Sequence, residues 1–322
     1  MTLKDIYFEK PYARLYEAIE KGASEVFEFQ HPLGIVRHMY LKCELDTKLD
    51  GQSYFEIKTP YGYGGPMISG CRDGDKARLA EEFQSAFQEY CSTQRIVNEF
   101  VRFHPVFSNA EDFAGCYDIS FKRKTTGTNL ELYEDPVQAE YSKSCRRNIK
   151  KALKSGVTFK ITAQPDSLKN FKEIYYETMK RNQAEEIYFF DEAYFDNCLE
   201  LLREHILLTE VFYEEKVIGM GINFVYNGLI NTHLSGTLGD YHGLSPAYVL
   251  QYALTLWGKD NGISLIHDGG GRTGDPGDSL FLFKKQFGKN TEFTYSVGTK
   301  IWNEAAYRRL QSAAESDQLI QT

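Results

Sequence analysis

The segment of this chain best suited to chemistry is residues 264–288. A short apolar run stops at Asp268, a glycine-rich turn follows, and a helical pattern carrying the adjacent Lys284 and Lys285 begins at Asp278. Glycines let a backbone approach a ligand closely, while a helix N-terminus and lysines favour negative charge. The pattern indicates a site for the negatively charged part of a donor molecule. The alternative is an ordinary strand-to-helix loop.

Three glycines of the turn, Gly269, Gly271 and Gly274, also satisfy the G-x-G-x-x-G pattern of dinucleotide sites, with Glu292 near the expected distance downstream. That fingerprint requires its third glycine at the start of a crossover helix. Here residues 275–277 (Asp-Pro-Gly) intervene, and most of the domain lies upstream. A nicotinamide or flavin site is therefore not favoured.

The composition indicates a soluble globular enzyme or binding protein. The chain has 322 residues, enough for two domains or one large one, with 42% hydrophobic and 25% charged residues. Its net charge of −8 argues against a generally basic DNA- or RNA-binding protein, although a local basic groove remains compatible with it.

The cysteines and the apolar runs indicate the cellular compartment of the protein. The six cysteines show no C-x-x-C pair and no zinc spacing, so we expect free thiols in a reducing cytoplasm and no metal site. The N-terminus lacks a signal-peptide pattern, and no run approaches the roughly 20 apolar residues of a membrane helix. We therefore expect a cytoplasmic protein without membrane insertion, which meets any lipid-linked substrate from the cytosol.

Apolar periodicity predicts a regular order of elements in the second half of the chain. The predicted strands are 157–163, 206–213, 217–226, 229–235, 263–267 and 292–297, and the predicted helices are 168–182, 191–205, 245–257 and the lysine helix from 278. The order β-α-α-β-β-β-α-β-α-β predicts a mixed α/β layered domain and not a doubly wound sheet.

The first half is less regular. We predict strands at 25–29, 35–44, 54–59, 95–102, 116–120 and 129–132, a loop at 61–66 and a helix at 76–94. A C-terminal helix at 305–314 is predicted to pack back on this half. Strand, loop, helix and strand recur here as they do in residues 229–267, which indicates a diverged structural duplication.

Residues 135–155 join the halves and predict one helix capped by Gly156. Basic side chains nearly encircle it: Lys143, Arg146, Arg147, Lys150, Lys151 and Lys154. The charge pattern allows either a solvated linker helix or a basic wall for a phosphorylated ligand.

Several short segments, in one order along nearly the whole chain, resemble the FemAB-like branch of the GNAT acyltransferase superfamily. They are TPYGYGGP at 59–66, RFHP at 102–105, RRNIKKALKSG at 146–156, Ser245-Pro246 before a helix, DGGG at 268–271 and FKKQFG at 283–288. The resemblance implies an α/β fold (α+β, mixed sheet) of two tandem GNAT-like domains. The first, residues 1–145 plus 298–322, is the expected acceptor side, and the second, residues 146–297, is the expected donor side, entered through the basic interdomain helix.

The resemblance also implies an N-acyltransferase without a permanently bound cofactor. Classical members of the branch transfer an amino acid from aminoacyl-tRNA to the peptide of a cell-wall precursor, and neighbouring branches use acyl-CoA to acylate amino sugars or other amines. The usual CoA loop of GNAT enzymes, Q/R-x-x-G-x-G/A, is replaced by GTLGDYHG at 236–243, which favours the tRNA donor. A non-catalytic binding protein on this fold is a third hypothesis, disfavoured by the retained lysine helix and glycine loop.

Acyl transfer to an amine passes through a tetrahedral oxyanion, whose stabilisation is usually the largest catalytic term. Lys284 matches the family lysine that contacts the donor phosphate and the reacting carbonyl. A general base is optional, and the candidates for it are His104, His233, His242, His267 and Asp268, a carboxylate at a strand end. The expected donor-binding residues are Lys285, Phe283, Gly269, Gly270, Gly271, Arg272, Ser245, Arg146, Arg147 and Lys150. The expected residues for a small-molecule or lipid-linked acceptor are Tyr61, Tyr63, Gly64, Gly65, Arg102 and His104.

Overall fold

The computed structural model describes residues 5–320, with side chains through residue 313. Within that range the chain divides into two compact units. The first comprises residues 7–122 and 294–320, and the second comprises residues 5–6 and 123–293. Among these residues no helix is both long and apolar enough to cross a membrane.

The strands and helices have the following bounds. The strands are β1 (Gly22–His31), β2 (Gly34–Glu44), β3 (Phe55–Lys58), β4 (Met67–Ser69), β5 (Ile96–Arg102), β6 (Asp118–Asn129), β7 (Thr158–Ala163), β8 (Ile206–Tyr213), β9 (Lys216–Tyr226), β10 (Leu229–Thr237), β11 (Leu265–Gly270) and β12 (Glu292–Ile301). The helices are α1 (Lys10–Leu15), α2 (Glu17–Glu20), α3 (Lys76–Thr93), α4 (Asn109–Asp112), α5 (Pro136–Glu140), α6 (Lys143–Lys154), α7 (Lys169–Arg181), α8 (Glu192–Leu202), α9 (Pro246–Asp260), α10 (Ser279–Lys285) and α11 (Glu304–Ile320). Short 3₁₀ helices lie at Ile6–Phe8, Asp73–Asp75, Glu186–Tyr188, Arg203–His205 and Gly239–Leu244.

The first unit is built on an antiparallel meander, β1-β2-β3, followed by α3 and by β5, which is parallel to β3 and antiparallel to β12. The short β4 pairs with β2. Helix α3 buries one apolar face, including Phe83 and Phe87, against strand residues such as Val36 and Val101. Ala306 of α11 packs with Leu49 and Val97, so the prediction that the C-terminal helix returns to this half is confirmed.

The second unit repeats that plan. Strands β7, β8, β9 and β10 pair antiparallel in chain order, α9 follows, and β11 returns parallel to β10 and antiparallel to β6. The predicted order β-α-α-β-β-β-α-β-α-β is confirmed. Both units share a three-stranded meander, a helix and a strand parallel to the last meander strand, which supports the predicted duplication. The core around α9 is aliphatic and includes Leu254, Ile230 and Ile266.

The single helix predicted over 135–155 is wrong, because the chain breaks into α5 and α6. Tyr141 is extended, and the Ser142 hydroxyl accepts a hydrogen bond from the Cys145 amide (3.1 Å), an N-cap that starts a new helix. The basic residues do not encircle α6 either, since it buries a stripe that contains Cys145 and Ile149. Gly156 follows α6 with φ +91°, as the predicted capping glycine requires.

The prediction of two separate strands at 116–120 and 129–132 is also wrong, since one long strand, β6, covers residues 118–129. The strand could not be recognised from the sequence, because basic residues and a glycine interrupt the apolar pattern in its middle. Thr126 and Thr128 are buried there, and their hydroxyls donate to the Gly288 and Phe287 carbonyls (3.1 and 2.9 Å). Helices α1 and α2 and strand β4 were not predicted, because each is only three to six residues long.

Candidate active site

Two parallel strands of the second unit separate partway along their length. β10 pairs with β11 at three successive positions, ending at Asn231 and His267. Beyond these residues β10 remains paired with β9 and β11 remains paired with β6. Within the described residues, 232–237 and 268–270 are therefore not paired with each other, and we call this unpaired stretch the opening between the strands. At its far end the Thr178 hydroxyl of α7 bonds the Thr237 amide and carbonyl (2.9 and 3.1 Å). An extended, peptide-like ligand can add to strand edges of this kind.

Asp268 is the first residue of β11 beyond the paired segment. It is the extra residue of a β-bulge, because His267 and Gly269 face consecutive residues of β6. Bulges re-aim side chains and are common beside active sites. The following glycines permit the turn: Gly269 has φ +73°, and a Cβ on Gly270 would lie 2.8 Å from the Lys124 carbonyl oxygen. The sequence DGGG thus serves to position Asp268.

The Asp268 carboxylate is buried, with 4% of the residue exposed. Gln251 Nε2 of α9 donates to Asp268 Oδ2 at 3.2 Å, and the hydroxyl of the nearby Thr232 donates to the His267 carbonyl at 3.5 Å. Burial raises the pKa of the Asp268 carboxyl to about 7, even though the Lys284 charge, the Gln251 hydrogen bond and the nearby Thr232 act in the opposite direction. A carboxyl that titrates near neutral pH is suited to accept a proton in catalysis.

Lys284 of α10 lies next to this carboxyl. Its Nζ donates to the Gly270 carbonyl oxygen at 3.0 Å. The residue keeps some exposed surface, but its ammonium end is enclosed by protein, and this burial lowers the Lys284 pKa despite attraction from Asp268 and Asp278. The structure therefore brings the two predicted catalytic residues together, a proton acceptor and a cationic donor, where β10 and β11 separate.

The carboxylate of Asp278 occupies the N-terminus of α10. It accepts hydrogen bonds from the amides of Phe281 (2.9 Å), Arg272 (2.9 Å) and Thr273 (3.0 Å). These bonds, the one from Phe281 foremost, lower the pKa of Asp278 to about 2. Asp278 therefore caps one amide of the helix, that of Phe281, and two amides of the preceding loop, and the donor-binding role expected for this helix N-terminus stays a prediction.

Arg123 of β6 holds the other side of the same loop. Its Nη1 donates to the Gly271 carbonyl at 2.5 Å and to the Arg272 carbonyl at 2.8 Å. Arg272 itself is exposed. The glycine loop is thus fixed through its carbonyls by Arg123 and Lys284, and through its amides by Asp278.

Three other expected donor-binding residues have structural contacts. Lys285 Nζ lies 2.7 Å from Glu292 Oε1 and donates to the Gly288 carbonyl at 3.0 Å. Phe283 packs edge-on against the Tyr248 ring, 5.2 Å between centroids. Ser245, with φ +55°, precedes α9, but its side chain does not cap that helix. Lys285 and Phe283 therefore stabilise the structure around α10. The first amides of α9 are not capped by the Ser245 side chain.

The basic residues of α6 line an open groove of about 680 Å³ in the second unit. The lining residues are Val137, Gln138, Arg146, Arg147, Ile149, Lys150, Leu153, Lys154 and Tyr252, and we call this the basic groove. Arg146 Nη1 donates to the carbonyls of Tyr141 and Gln138, so its guanidinium also braces the α5–α6 turn. Arg147 and Lys150 are exposed. The groove therefore combines positively charged side chains with an apolar surface.

In the first unit the corresponding parallel strands do not separate. The loop after β3 continues the pairing with β5: the Thr59 hydroxyl accepts from the Arg102 amide (2.9 Å), and the Gly64 amide donates to the Arg102 carbonyl (2.8 Å). The Arg102 guanidinium donates to the Thr59 carbonyl at 2.6 Å. In the first unit, the loop after β3 thus pairs with β5 at the position where, in the second unit, β10 and β11 are unpaired.

The expected acceptor residues divide into buried and accessible ones. His104 is fully buried and packs against both Phe8 and Phe107, with ring centroids 5.6 and 4.6 Å away, and Gly64 and Gly65 are buried too. Asn109 Nδ2 donates to the Gly64 and Pro66 carbonyls (2.8 and 3.0 Å) and fixes the loop. Tyr61, Tyr63 and Arg102 keep exposed surface, so they are the members of this set able to contact a ligand.

The sequence reasoning missed Gln251, Thr232, Arg123 and the capping role of Asp278. Gln251 carried a readable signal, a polar residue inside the apolar run of a predicted helix. Asp278 at the start of a helical pattern was a second such signal. Thr232 and Arg123 carried none, because strand pairing alone brings them to the site.

Comparison with known proteins bears on the fold and on the class of enzyme. Residues 139–276 match the family model described as Acetyltransferase (GNAT) domain. Among solved structures, FemX is similar with a TM-score of 0.71 at 14% identity, covering 94% of each chain. No curated protein matches the chain by sequence.

Two further structures have the same fold. One is the C-terminal domain of a protein designated a lysylphosphatidylglycerol synthetase from Agrobacterium fabrum, with a TM-score of 0.54 at 13% identity, covering 95% of this chain and 91% of that one. The other is a protein of unknown function from Bacteroides thetaiotaomicron, with a TM-score of 0.56 at 12% identity, covering 91% and 90%. The predicted GNAT-type acyltransferase and its FemAB-like tandem fold are confirmed by these findings.

Proposed function

We propose that this acyltransferase moves an aminoacyl group from aminoacyl-tRNA to an amine of a cell-wall or polysaccharide precursor. The observation that carries the proposal is the basic groove, whose four cationic side chains belong to the same unit as Asp268 and Lys284. A polyphosphate chain such as tRNA is held mainly by cationic contacts of this kind. The FemX-like fold and the replaced CoA loop at 236–243 support the same donor.

The proposed reaction uses the two buried charges at the opening between β10 and β11. Asp268 accepts a proton from the acceptor amine, whose nitrogen attacks the ester carbonyl of the aminoacyl group. Lys284 stabilises the oxyanion that forms. Collapse of the intermediate completes the C–N bond and breaks the ester C–O bond. The proton held by Asp268 then passes to the departing ribose oxygen, which leaves the tRNA with a free hydroxyl.

The two units take different roles in this proposal. The second unit binds the donor, because its parallel strands separate beside the catalytic pair. The first unit, whose equivalent opening is closed, contributes the accessible Tyr61, Tyr63 and Arg102 to acceptor binding. Tyrosine rings pack on sugars and peptide stems, and arginine pairs with carboxylates or phosphates. The acceptor is a small or lipid-linked precursor, and a tRNA donor assigns the reaction to the cytoplasm.

An acyl-CoA-dependent N-acyltransferase acting on an amino sugar or another amine is the second candidate. The observation that favours it is the match of residues 139–276 to a family model of acetyltransferases. In that case the phosphates of CoA would lie at the N-terminus of α9, where the Ser245 side chain does not cap the helix.

Donor binding distinguishes the two candidates. Affinities of a non-hydrolysable aminoacyl-tRNA analogue and of CoA are measured over a series of salt concentrations. The proposal requires tight, steeply salt-dependent binding of the tRNA analogue and weak binding of CoA. Tight, nearly salt-independent CoA binding without tRNA binding would replace the proposal with the second candidate.

A further inference from the structure

The pairing of β10 with β9 shows which main-chain groups of β10 face the opening. In an antiparallel pair, residues that hydrogen-bond the partner strand alternate with residues whose amide and carbonyl point away from it. The Leu238 amide donates to the Ile218 carbonyl (3.0 Å), and the register runs unbroken from there back through residue 234. Gly236 therefore bonds β9, while Ser235 and Thr237 direct their amides and carbonyls into the opening. We call each of these two amide–carbonyl sets a rung.

Helix α7 already holds the rung of Thr237. The Thr178 hydroxyl accepts a hydrogen bond from the Thr237 amide (2.9 Å). Its own hydrogen can be donated to the Thr237 carbonyl (3.1 Å) or to that of Ile174 (2.9 Å). Arg181 Nη1 also donates to the Thr237 carbonyl, at 2.8 Å. Gly236 permits this close approach, because a Cβ there would lie 2.7 Å from the Ile174 carbonyl oxygen.

The rung of Ser235 remains accessible to a ligand. Ser235 is exposed, and it lies between the bulge at His233 and the Thr237 rung that α7 holds. Beyond the bulge, the edge of β10 thus offers one amide and one carbonyl. A ligand that adds to this edge can make one donated and one accepted main-chain hydrogen bond there.

An acyl-CoA donor needs more of the edge than this. Its thioester carbonyl must reach Lys284, and behind the sulfur follows an arm with two successive amide groups. Extended chains with amides bind strand edges through main-chain hydrogen bonds. β11 ends at Gly270, whose carbonyl accepts from Lys284 (3.0 Å), so β10 is the edge along which the arm would lie. Two amides have two N–H groups and two carbonyls, and a single rung pairs with half of them.

We propose that Thr178 is a residue that determines the acyl donor: by engaging the Thr237 rung, it leaves too short an edge for the two-amide arm of an acyl-CoA. An aminoacyl ester has no such arm, because the ribose oxygen follows its carbonyl directly. Thr178 therefore does not hinder the ester. This inference deepens the proposed function and rests on it for the position of the reacting carbonyl beside Asp268 and Lys284.

Two thioesters of different arm length test the inference. S,N-diacetylcysteamine has one amide and S-acetylpantetheine has two, and neither carries phosphate. Their affinities are measured by ligand-observed NMR. Wild type should bind both about equally, because the second amide finds no rung. In Thr178→Ala the Thr237 amide is freed, so the two-amide thioester should bind roughly 3- to 10-fold more tightly than the one-amide thioester, the equivalent of one hydrogen bond.

Two further variants separate this effect from a general loosening of the structure. Thr178→Ser keeps the hydroxyl that accepts from the Thr237 amide and should behave as wild type. Thr209→Ala is the matched control: Thr209 is a buried threonine of β8, and its hydroxyl accepts from Asn223 Nδ2 (3.2 Å). It lies two strands from the opening in the sheet and should leave the ratio of the two affinities unchanged.

Tighter binding of the two-amide thioester by wild type would overturn the inference, and this measurement needs no variant to fold. An unchanged ratio in folded Thr178→Ala, or an equal gain in Thr209→Ala, would overturn it as well. A non-hydrolysable aminoacyl-tRNA analogue is titrated in parallel. If wild type does not bind it while the thioester ratios come out as expected, the proposed tRNA donor is rejected and the role of Thr178 stands.

Discussion

Asp268 and Lys284 share one buried neighbourhood at the point where β10 and β11 separate, and each charge partly offsets the burial of the other. Burial moves the two pKa values in opposite directions, up for the carboxyl and down for the ammonium. Burial therefore disfavours the charged form of both groups. This relationship is the basis for the predictions on catalysis.

The rate of acyl transfer should depend on the ionisation of Asp268. Below its pKa of about 7 the carboxyl is protonated and cannot accept a proton, so kcat should rise with pH and level off above about 7. Asp268→Asn should lower kcat by roughly 10²- to 10⁴-fold and remove the acidic limb. The check is a pH–rate profile of both proteins, with the exposed Asp240→Asn as control. A variant that keeps the limb would exclude Asp268 as the titrating group.

Lys284→Ala should lower kcat by about 100-fold or more, because loss of one oxyanion donor typically costs 10²–10³ in rate. The same change removes the charge that lowers the Asp268 pKa, so any remaining activity should have its acidic limb at higher pH. Lys289→Ala, an exposed lysine just past the same helix, is the matched control and should retain the wild-type rate. Wild-type turnover of folded Lys284→Ala would remove this lysine from the mechanism.

The basic groove should account for the salt dependence of donor binding. The double variant Arg147→Ala/Lys150→Ala should flatten the plot of log affinity against log salt by roughly one unit for each phosphate that the groove no longer neutralises. The control is Lys143→Ala/Lys151→Ala, which removes two exposed charges from the same helix but outside the groove. Arg146 is left intact because it braces the turn before α6. Equal slopes for both double variants would mean that only the net charge matters.

The cap of α10 should contribute to stability as well as to positioning. Asp278→Ala removes the acceptor of three amide hydrogen bonds and should cost about 1 kcal/mol of unfolding free energy. Because the folded pKa of Asp278 is lowered to about 2, this contribution is present at neutral pH and is lost as pH falls from about 4 to 2. Asp278→Ser keeps one capping oxygen and should recover most of the loss. Denaturant unfolding at pH 7 and pH 2.5 checks both expectations.

The order of elements was predictable in the second unit because its helices and strands are long and have clean apolar periods. Helix α9, with buried Leu250 and Leu254 four residues apart, is an example. The break at Ser142 was missed because a strongly basic run suggested one continuous helix, although a serine N-cap was present in it. Strand β6 was missed because its buried threonines are paired by distant carbonyls, which no local pattern reveals.

The candidate site was predictable only where chemistry and local turn geometry coincide. Asp268 and Lys284 were found because a glycine turn and a family motif mark both of them. Thr232, Gln251 and Arg123 reach the site through strand pairing and helix packing, which a sequence does not display. The cap of α10 by Asp278 was not predicted, although an aspartate at a helix start commonly accepts a hydrogen bond from one of the first amides of the helix, here that of Phe281.

Single-turnover transfer from a charged tRNA tests the central proposal most directly. The protein is mixed with aminoacyl-tRNA labelled in its amino acid and with an amine-bearing cell-wall precursor, and mass spectrometry follows the label; acyl-CoA replaces the tRNA in a parallel reaction. We predict that the label moves to the precursor amine from tRNA only, and that Asp268→Asn and Lys284→Ala block this step while still binding the tRNA. Transfer from acyl-CoA with none from tRNA, or undiminished transfer by both variants, would contradict the account.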